Sequence, residues 1–160
     1  MATPFTFEIV TPDKMLFSAD NVTYVGFRSM VGGLGIKANH LPIIATLDVA
    51  PMKLEFTDGS KKSFAVCGGF LEMKGGKCTV LATIADADTD IDTARANAAK
   101  ERAEHRLASK DADVDNARAS RALKRAITRL KVAGMAYKAY RQCKNNNSPV
   151  RKGGGFCLLM

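Results

Sequence analysis

Arginines and aspartates carry the most ordered charge pattern in this 160-residue chain. Arg95, Arg102 and Arg106 recur at i, i+7 and i+11, along one stripe of a helix. Arg118, Arg121, Arg125 and Arg129 line a stripe of a second helix, to the side of its apolar seam. A guanidinium is a planar fork of N–H donors, so aligned arginines suit a polyanion: an acidic protein loop, or the phosphates of a nucleotide. The same spacing also describes two solvated basic faces with local acid pairs such as Asp92–Arg95. Spacing alone leaves both readings open.

A second candidate is the stretch GGLGIKANHLPIIATL, residues 32–47, which sets three glycines before His40. Gly32, Gly33 and Gly35 do not fit the dinucleotide spacing, and no glycine-lysine-serine/threonine ending makes a P-loop. The apolar run after His40, with Pro42 near its start, suits a buried strand and not a phosphate-binding helix N-terminus. His40 has no nucleophile beside it and reads as a structural loop residue. The chain shows no catalytic triad, no paired catalytic carboxylates and no metal-ligand spacing, so no enzymatic chemistry and no metal are expected. Cys67, Cys78, Cys143 and Cys157 are scattered, which fits neither a zinc site nor a disulfide framework and suits a reducing cytosol.

The elements that must position these residues fall into two halves. In FTFEIV, Phe5, Phe7 and Ile9 share one face of a strand; in MKLEF, Met52, Leu54 and Phe56 do the same. Asp58-Gly59 and Gly75-Gly76 separate alternating runs and predict hairpins. Gly68-Gly69, inside a strand run, predicts a bulge or a close backbone approach. Many short strands with closely spaced turns predict an antiparallel β-sandwich or flattened barrel over residues 1–85. At ADADTDID the period changes. Thr89 or Asp90 is the expected cap of a helix over Ile91 to about Ser109, and a second helix is expected from about Asp113 to Leu130 or beyond, with Gly134 as a stop. Residues 86–134 therefore read as an antiparallel two-helix hairpin. Its seam is Ala119, Leu123, Ala126, Ile127 and Leu130 against Ala96, Ala99, Ala103 and Leu107, small residues that bury little area.

The net charge of +8 is uneven: residues 132–160 hold 5 Lys/Arg and no acid, whereas residues 1–85 hold 8 Lys/Arg against 7 Asp/Glu. Any anionic partner belongs to the C-terminal half. Residues 135–160 read as a basic flexible tail. Its last four residues formally match a prenylation box on Cys157, a match better ascribed to chance. The N-terminus lacks the basic and apolar regions of a secretory signal, and no run reaches the ~18–20 apolar residues of a membrane span. A stand-alone nucleic-acid-binding barrel with a basic helical arm is compatible with composition. Against it, the sandwich half is nearly neutral and lacks aromatics interleaved with its bases.

Four segments in order, GGLGIKANHLPIIATL, SFAVCGGFLEM, CTVLATIADADTDIDTARANAAKERAEHRL and RALKRAITRLKVAG, resemble the ε-subunit family of F-type rotary ATP synthases over about residues 5–134. The resemblance implies a non-catalytic subunit whose β-sandwich grips the γ subunit and the membrane ring of c subunits. It implies that the helical hairpin folds down on the sandwich or extends along γ into the catalytic head. Met30, Val31, Gly32, Gly33 and Leu34, with His40 beside them, would form the contact loop toward the c-ring and γ; many relatives carry an acid where Gly33 stands. In relatives that bind ATP the motif is Ile/Leu-Asp-x-x-Arg-Ala plus later arginines. Ile91, Asp92, Arg95 and Ala96 match it here, with Arg102, Arg125 and Arg129 following, and Asp86 stands where those relatives use a glutamate. Arg106, Arg118 and Arg121 would belong to an inhibitory basic stripe that meets acidic loops of the β subunits in the α/β head. The implied setting is the cytoplasmic face of a bacterial plasma membrane, peripheral through the complex, without nucleic acid. No cofactor is required, and ATP is implied as a regulatory ligand.

Overall fold

The computed structural model describes residues 3–109 and 115–145, with residues 135–145 described as backbone only. Seven strands come first: β1 (Phe5–Val10), β2 (Met15–Ser29), β3 (Gly32–Lys37), β4 (Ile43–Phe56), β5 (Lys61–Lys74), β6 (Lys77–Ala82) and β7 (Ala85–Ala87). Alternation sets their inner face. Phe5, Phe7 and Ile9 are buried from β1, Met52 and Leu54 from β4, and Phe64, Val66, Leu71 and Met73 from β5. Phe56 is only half-buried and packs against the core edge, its ring edge-on to Phe17 at 6.4 Å.

The neighbours run β1-β6-β5-β4-β2-β3, and an additional β1–β2 pairing closes the first five into a ring, a flattened barrel with β3 outside it. Asp58-Gly59 and Gly75-Gly76 turn the chain between β4 and β5 and between β5 and β6, as the sequence predicts. β1 and β6 pair in parallel, Thr6 with Lys77 through Val10 with Leu81, the one departure from an antiparallel sheet. They are distant in sequence, so no hairpin turn dictates their relative direction. At Gly68-Gly69 β5 changes partner: residues 69–74 pair with β6 and residues 64–66 with β7. A Cβ on Gly69, whose φ is +126°, would lie 2.1 Å from the Leu81 carbonyl oxygen. The close approach expected there is real. Strand pairing continues two residues beyond 85, so Asp86 is a strand residue.

A short 3-10 turn (Asp88–Asp90) leads into α1 (Thr93–Ala108). The cap is Asp92 and not Thr89 or Asp90: its Oδ1 accepts the Arg95 backbone N–H at 3.0 Å, and the helix starts correspondingly later. The second helix, α2 (Asn116–Asn145), begins after Asp115, which caps it by accepting the Arg118 N–H at 2.9 Å. Gly134 does not stop it. One glycine costs a helix about 1 kcal/mol, and fully buried Val132 beside it anchors the helix. α2 packs on β4 and β5, and α1 packs on α2. The seam is even smaller than expected: Ala96, Ala103, Ala119 and Ala126 are buried, while Leu123, Ile127 and Leu130 are half-buried and Leu107 is exposed.

Candidate functional site

Where β7, the 3-10 turn, the start of α1 and the middle of α2 converge, they enclose a cleft of about 360 Å³. Ile91, Ala96 and Ala99 supply its apolar wall, and Ala96 is buried. Asp86 and Arg129 close one side: Arg129 Nε donates to Asp86 Oδ2 at 2.8 Å, with both side chains 30% exposed. This bond ties the hairpin to the last strand of the barrel. Asp92 and Asp90 line the cleft too, and the Asp92 carboxylate is partly committed to capping α1. Arg95 and Arg102, seven residues apart on α1, reach the same space with exposed side chains. Neither makes an ion pair among the described residues.

The cleft thus combines two kinds of group. Guanidiniums donate to oxyanions; carboxylates accept from hydroxyl or amino donors. A ligand carrying phosphates at one end and N–H or O–H donors at the other satisfies both.

Of the residues singled out by resemblance to nucleotide-binding relatives, Asp86, Ile91, Asp92, Arg95, Ala96, Arg102 and Arg129 line this cleft, and Arg125 does not. Arg125 lies one turn before Arg129, half-buried. Its charge reaches the buried Cys67 thiol nearby, as do those of Arg129 and Asp86, but burial dominates and pushes that thiol up. The sequence offers Asp90 as a helix cap, Ala99 as a seam residue and Cys67 as a scattered thiol, and joins none of them to the nucleotide motif. Asp90 continues the every-second-residue acids from Asp86 to Asp92, the signal that could have joined it; Ala99 reaches the cleft through the crossing of the helices.

The remaining candidates lie elsewhere. Met30 and Val31 form the exposed tip between β2 and β3, held from beneath by Ser29, whose Oγ donates to the Gly32 carbonyl at 3.0 Å. Leu34 is exposed, and Gly33 has open space around it: a side chain there would meet nothing within 4 Å. His40 sits on the next turn, exposed, its Nδ1 2.8 Å from the Leu41 carbonyl oxygen. Exposed Leu41 and Ile44 follow it, so this turn offers apolar side chains to a partner more than it offers chemistry. Arg106 at the end of α1 and Arg118 and Arg121 at the start of α2 are exposed at the far tip of the hairpin. Among the described residues no group of three His, Cys, Asp or Glu could hold a metal ion, and no helix is long and apolar enough to cross a membrane.

Residues 4–87 match the family model described as the β-sandwich domain of the ATP synthase delta/epsilon chain, and residues 89–134 match that of its long α-helix domain. The chain is 50% identical over 127 residues to the ATP synthase epsilon chain of Pelotomaculum thermopropionicum, covering 79% of this chain and 93% of that one. It is 44% identical over 103 residues to the epsilon chain of Brevibacillus brevis, covering 64% and 76%. A chain in the cryo-EM structure of the Euglena gracilis mitochondrial ATP synthase has the same fold, with a TM-score of 0.71 over 81% of each chain at 21% identity.

Proposed function

The chain belongs to the ATP synthase delta/epsilon-chain family, and from that premise we propose that it couples c-ring rotation to the γ subunit and restrains ATP hydrolysis through its hairpin. In this reading the β-barrel is the grip. The β2–β3 tip and the His40 turn face the c-ring and γ, and the protein is peripheral to the membrane through the complex, on the cytoplasmic face. The hairpin is the brake: released from the sheet, its far-tip arginines Arg106, Arg118 and Arg121 meet acidic loops of the catalytic head. ATP held in the cleft between Asp86, Arg95, Arg102 and Arg129 favours the folded form by its differential affinity for the two forms.

The observation that carries this reading is the cleft itself. Two arginines of α1 and one of α2 converge there beside a strand carboxylate, so lifting the hairpin from the sheet would part Asp86 from the arginines. Isothermal titration of the full chain with ATP tests the nucleotide role. Wild-type heat is expected, reduced about tenfold or more in affinity by Arg102→Ala and less by Arg125→Ala, which lies outside the cleft. No wild-type heat up to millimolar ATP refutes nucleotide sensing. Reconstitution with the other subunits tests the brake: deleting residues beyond Ala87 should raise hydrolysis, and an unchanged rate leaves only the coupling role.

A further inference from the structure

The flank of α2 turned away from the arginine cleft also carries charge. At 100° per residue, Lys124 and Lys131 lie about 200° round the helix from Arg129. With Ile127 and Thr128 they face Arg28 of β2 and residues 48–51 of β4 across a cleft of about 340 Å³. That cleft runs into a second of about 570 Å³, and the two share Arg28, Ala50, Pro51 and Lys131. The second lies over the β2–β3 face, where Gly26 and Gly35 leave the backbone bare beneath the Tyr24 ring and Lys53 stands at the rim. The result is one furrow with an apolar floor and four cations, Arg28, Lys53, Lys124 and Lys131. Its one carboxylate is Asp48, 3.9 Å from Arg28 and accepting the Val49 N–H at 2.8 Å.

We propose that this furrow docks an extended acidic polypeptide segment of a partner protein, and that it is a complete site only while the hairpin lies on the sheet. The cations are strung along the furrow and do not converge on a point, as a single phosphate would require. Lys124 and Lys131 are separated by about 10.5 Å of helix rise, which an extended chain spans in about three residues. Acids three apart in an extended segment of polyproline-II type, which returns every third side chain to one face at about 3.1 Å per residue, therefore meet both lysines. The chain's own tail is not the occupant, because residues 132–160 contain no acid. One wall belongs to α2 and the other to β2 and β4, so a segment bridging them stabilises the folded hairpin by its differential affinity. This inference does not depend on nucleotide binding in the arginine cleft.

The test uses the full chain and a fluorescein-labelled peptide of about twelve residues with glutamate at every third position among small residues, in about 50 mM salt. Fluorescence anisotropy should report binding of this peptide and none of its glutamine counterpart. Lys124→Glu combined with Lys131→Glu should weaken binding about tenfold or more, and so should Lys53→Glu, which leaves α2 untouched. Arg102→Ala should leave it unchanged, which separates this site from the cleft. Added peptide should also slow hydrogen exchange in α2. Equal binding of the glutamine peptide, or wild-type binding by both charge-reversal variants, overturns the proposal. So does displacement of the peptide by equimolar inorganic phosphate. Self-association that the charge reversals abolish would assign the furrow to a second copy of the chain and overturn it as well.

Discussion

Asp86 and Arg129 make the single described ion pair between hairpin and barrel, and cutting it should loosen the hairpin by a calculable amount. The bond is short, 2.8 Å, and its side chains are 30% exposed, so it lies between two limits. Exposed ion pairs contribute about 0.2–1 kcal/mol, and hydrogen bonds to charged groups about 1.5–3 kcal/mol when shielded. A coupling of about 1 to 1.5 kcal/mol is expected, a factor of roughly 5 to 13 in the equilibrium between seated and lifted hairpin. Asp86→Asn, Arg129→Gln and the double variant form a cycle that isolates this term from the loss of each group alone. Hydrogen exchange is the assay because it reads helix and strand separately. Protection in α1 and α2 should fall by that factor in either single variant, the double variant should fall little further, and β1 and β4 should hold. A coupling below about 0.3 kcal/mol, or an equal fall in the strands, would show that the pair is not a clasp.

Other positions give sharper yes-or-no outcomes. Gly69→Ala puts a Cβ 2.1 Å from the Leu81 carbonyl at a φ of +126°, and chemical denaturation should show a loss of about 3 kcal/mol or more, or no folding. Gly33→Glu enters open space and should leave the denaturation midpoint within about 0.5 kcal/mol of wild type. Gly134→Ala, also in open space and mid-helix, should raise the thermal midpoint through about 0.5–1 kcal/mol of helix propensity. Burial pushes the Cys78 thiol up to about 12 from 9.0, so it favours the neutral thiol in the fold. That contribution is intact below pH 9 and lost as pH climbs toward 12, by about 1.4 kcal/mol per pH unit from this group; Cys78→Ala should flatten that part of the stability profile.

Much of the barrel was legible because strands such as β1 and β4 bury alternate residues, whereas β5 buries four in a row, Phe64 to Cys67. Phe5, Phe7 and Ile9, or Met52 and Leu54, could only alternate if the intervening residues were outside. Asp58-Gly59 and Gly75-Gly76 were legible because Gly59, Gly75 and Gly76 take positive φ, which few other residues accept cheaply. The parallel β1–β6 pairing and the closure of the ring were not. They join segments far apart in sequence, and neither the β1 nor the β6 pattern names its neighbour. The arginine cleft was readable through its motif, with one error of geometry. Arg125 and Arg129 differ by four residues, hence about 40° of rotation and 6 Å of rise, enough to carry Arg125 off the cleft wall. The basic furrow was invisible in sequence because its walls, Arg28 and Lys53 on one side and Lys124 and Lys131 on the other, belong to separate elements.

The seam explains why such sites on its flanks can matter. Ala96, Ala103, Ala119 and Ala126 each contribute one buried methyl, which at about 0.8 kcal/mol per carbon comes to roughly 3 kcal/mol for the four. A ligand specific for the folded form and present at 100 times its dissociation constant contributes about 2.7 kcal/mol. The two quantities are of the same size. Had the seam been built from leucines, each buried side chain would have contributed about two to three times as much, and no single ligand of ordinary affinity could compete with it. With alanines between them, the pairing of α1 with α2 is set as much by what occupies the polar flanks as by its own packing, while α2 itself, with Thr128 and Val132 buried, is seated on β4 and β5. On the proposed reading, an anion in the arginine cleft and an acidic segment in the furrow pull in the same direction. Both bridge α2 to the sheet, so each should tighten the binding of the other, and by linkage the tightening must be equal both ways.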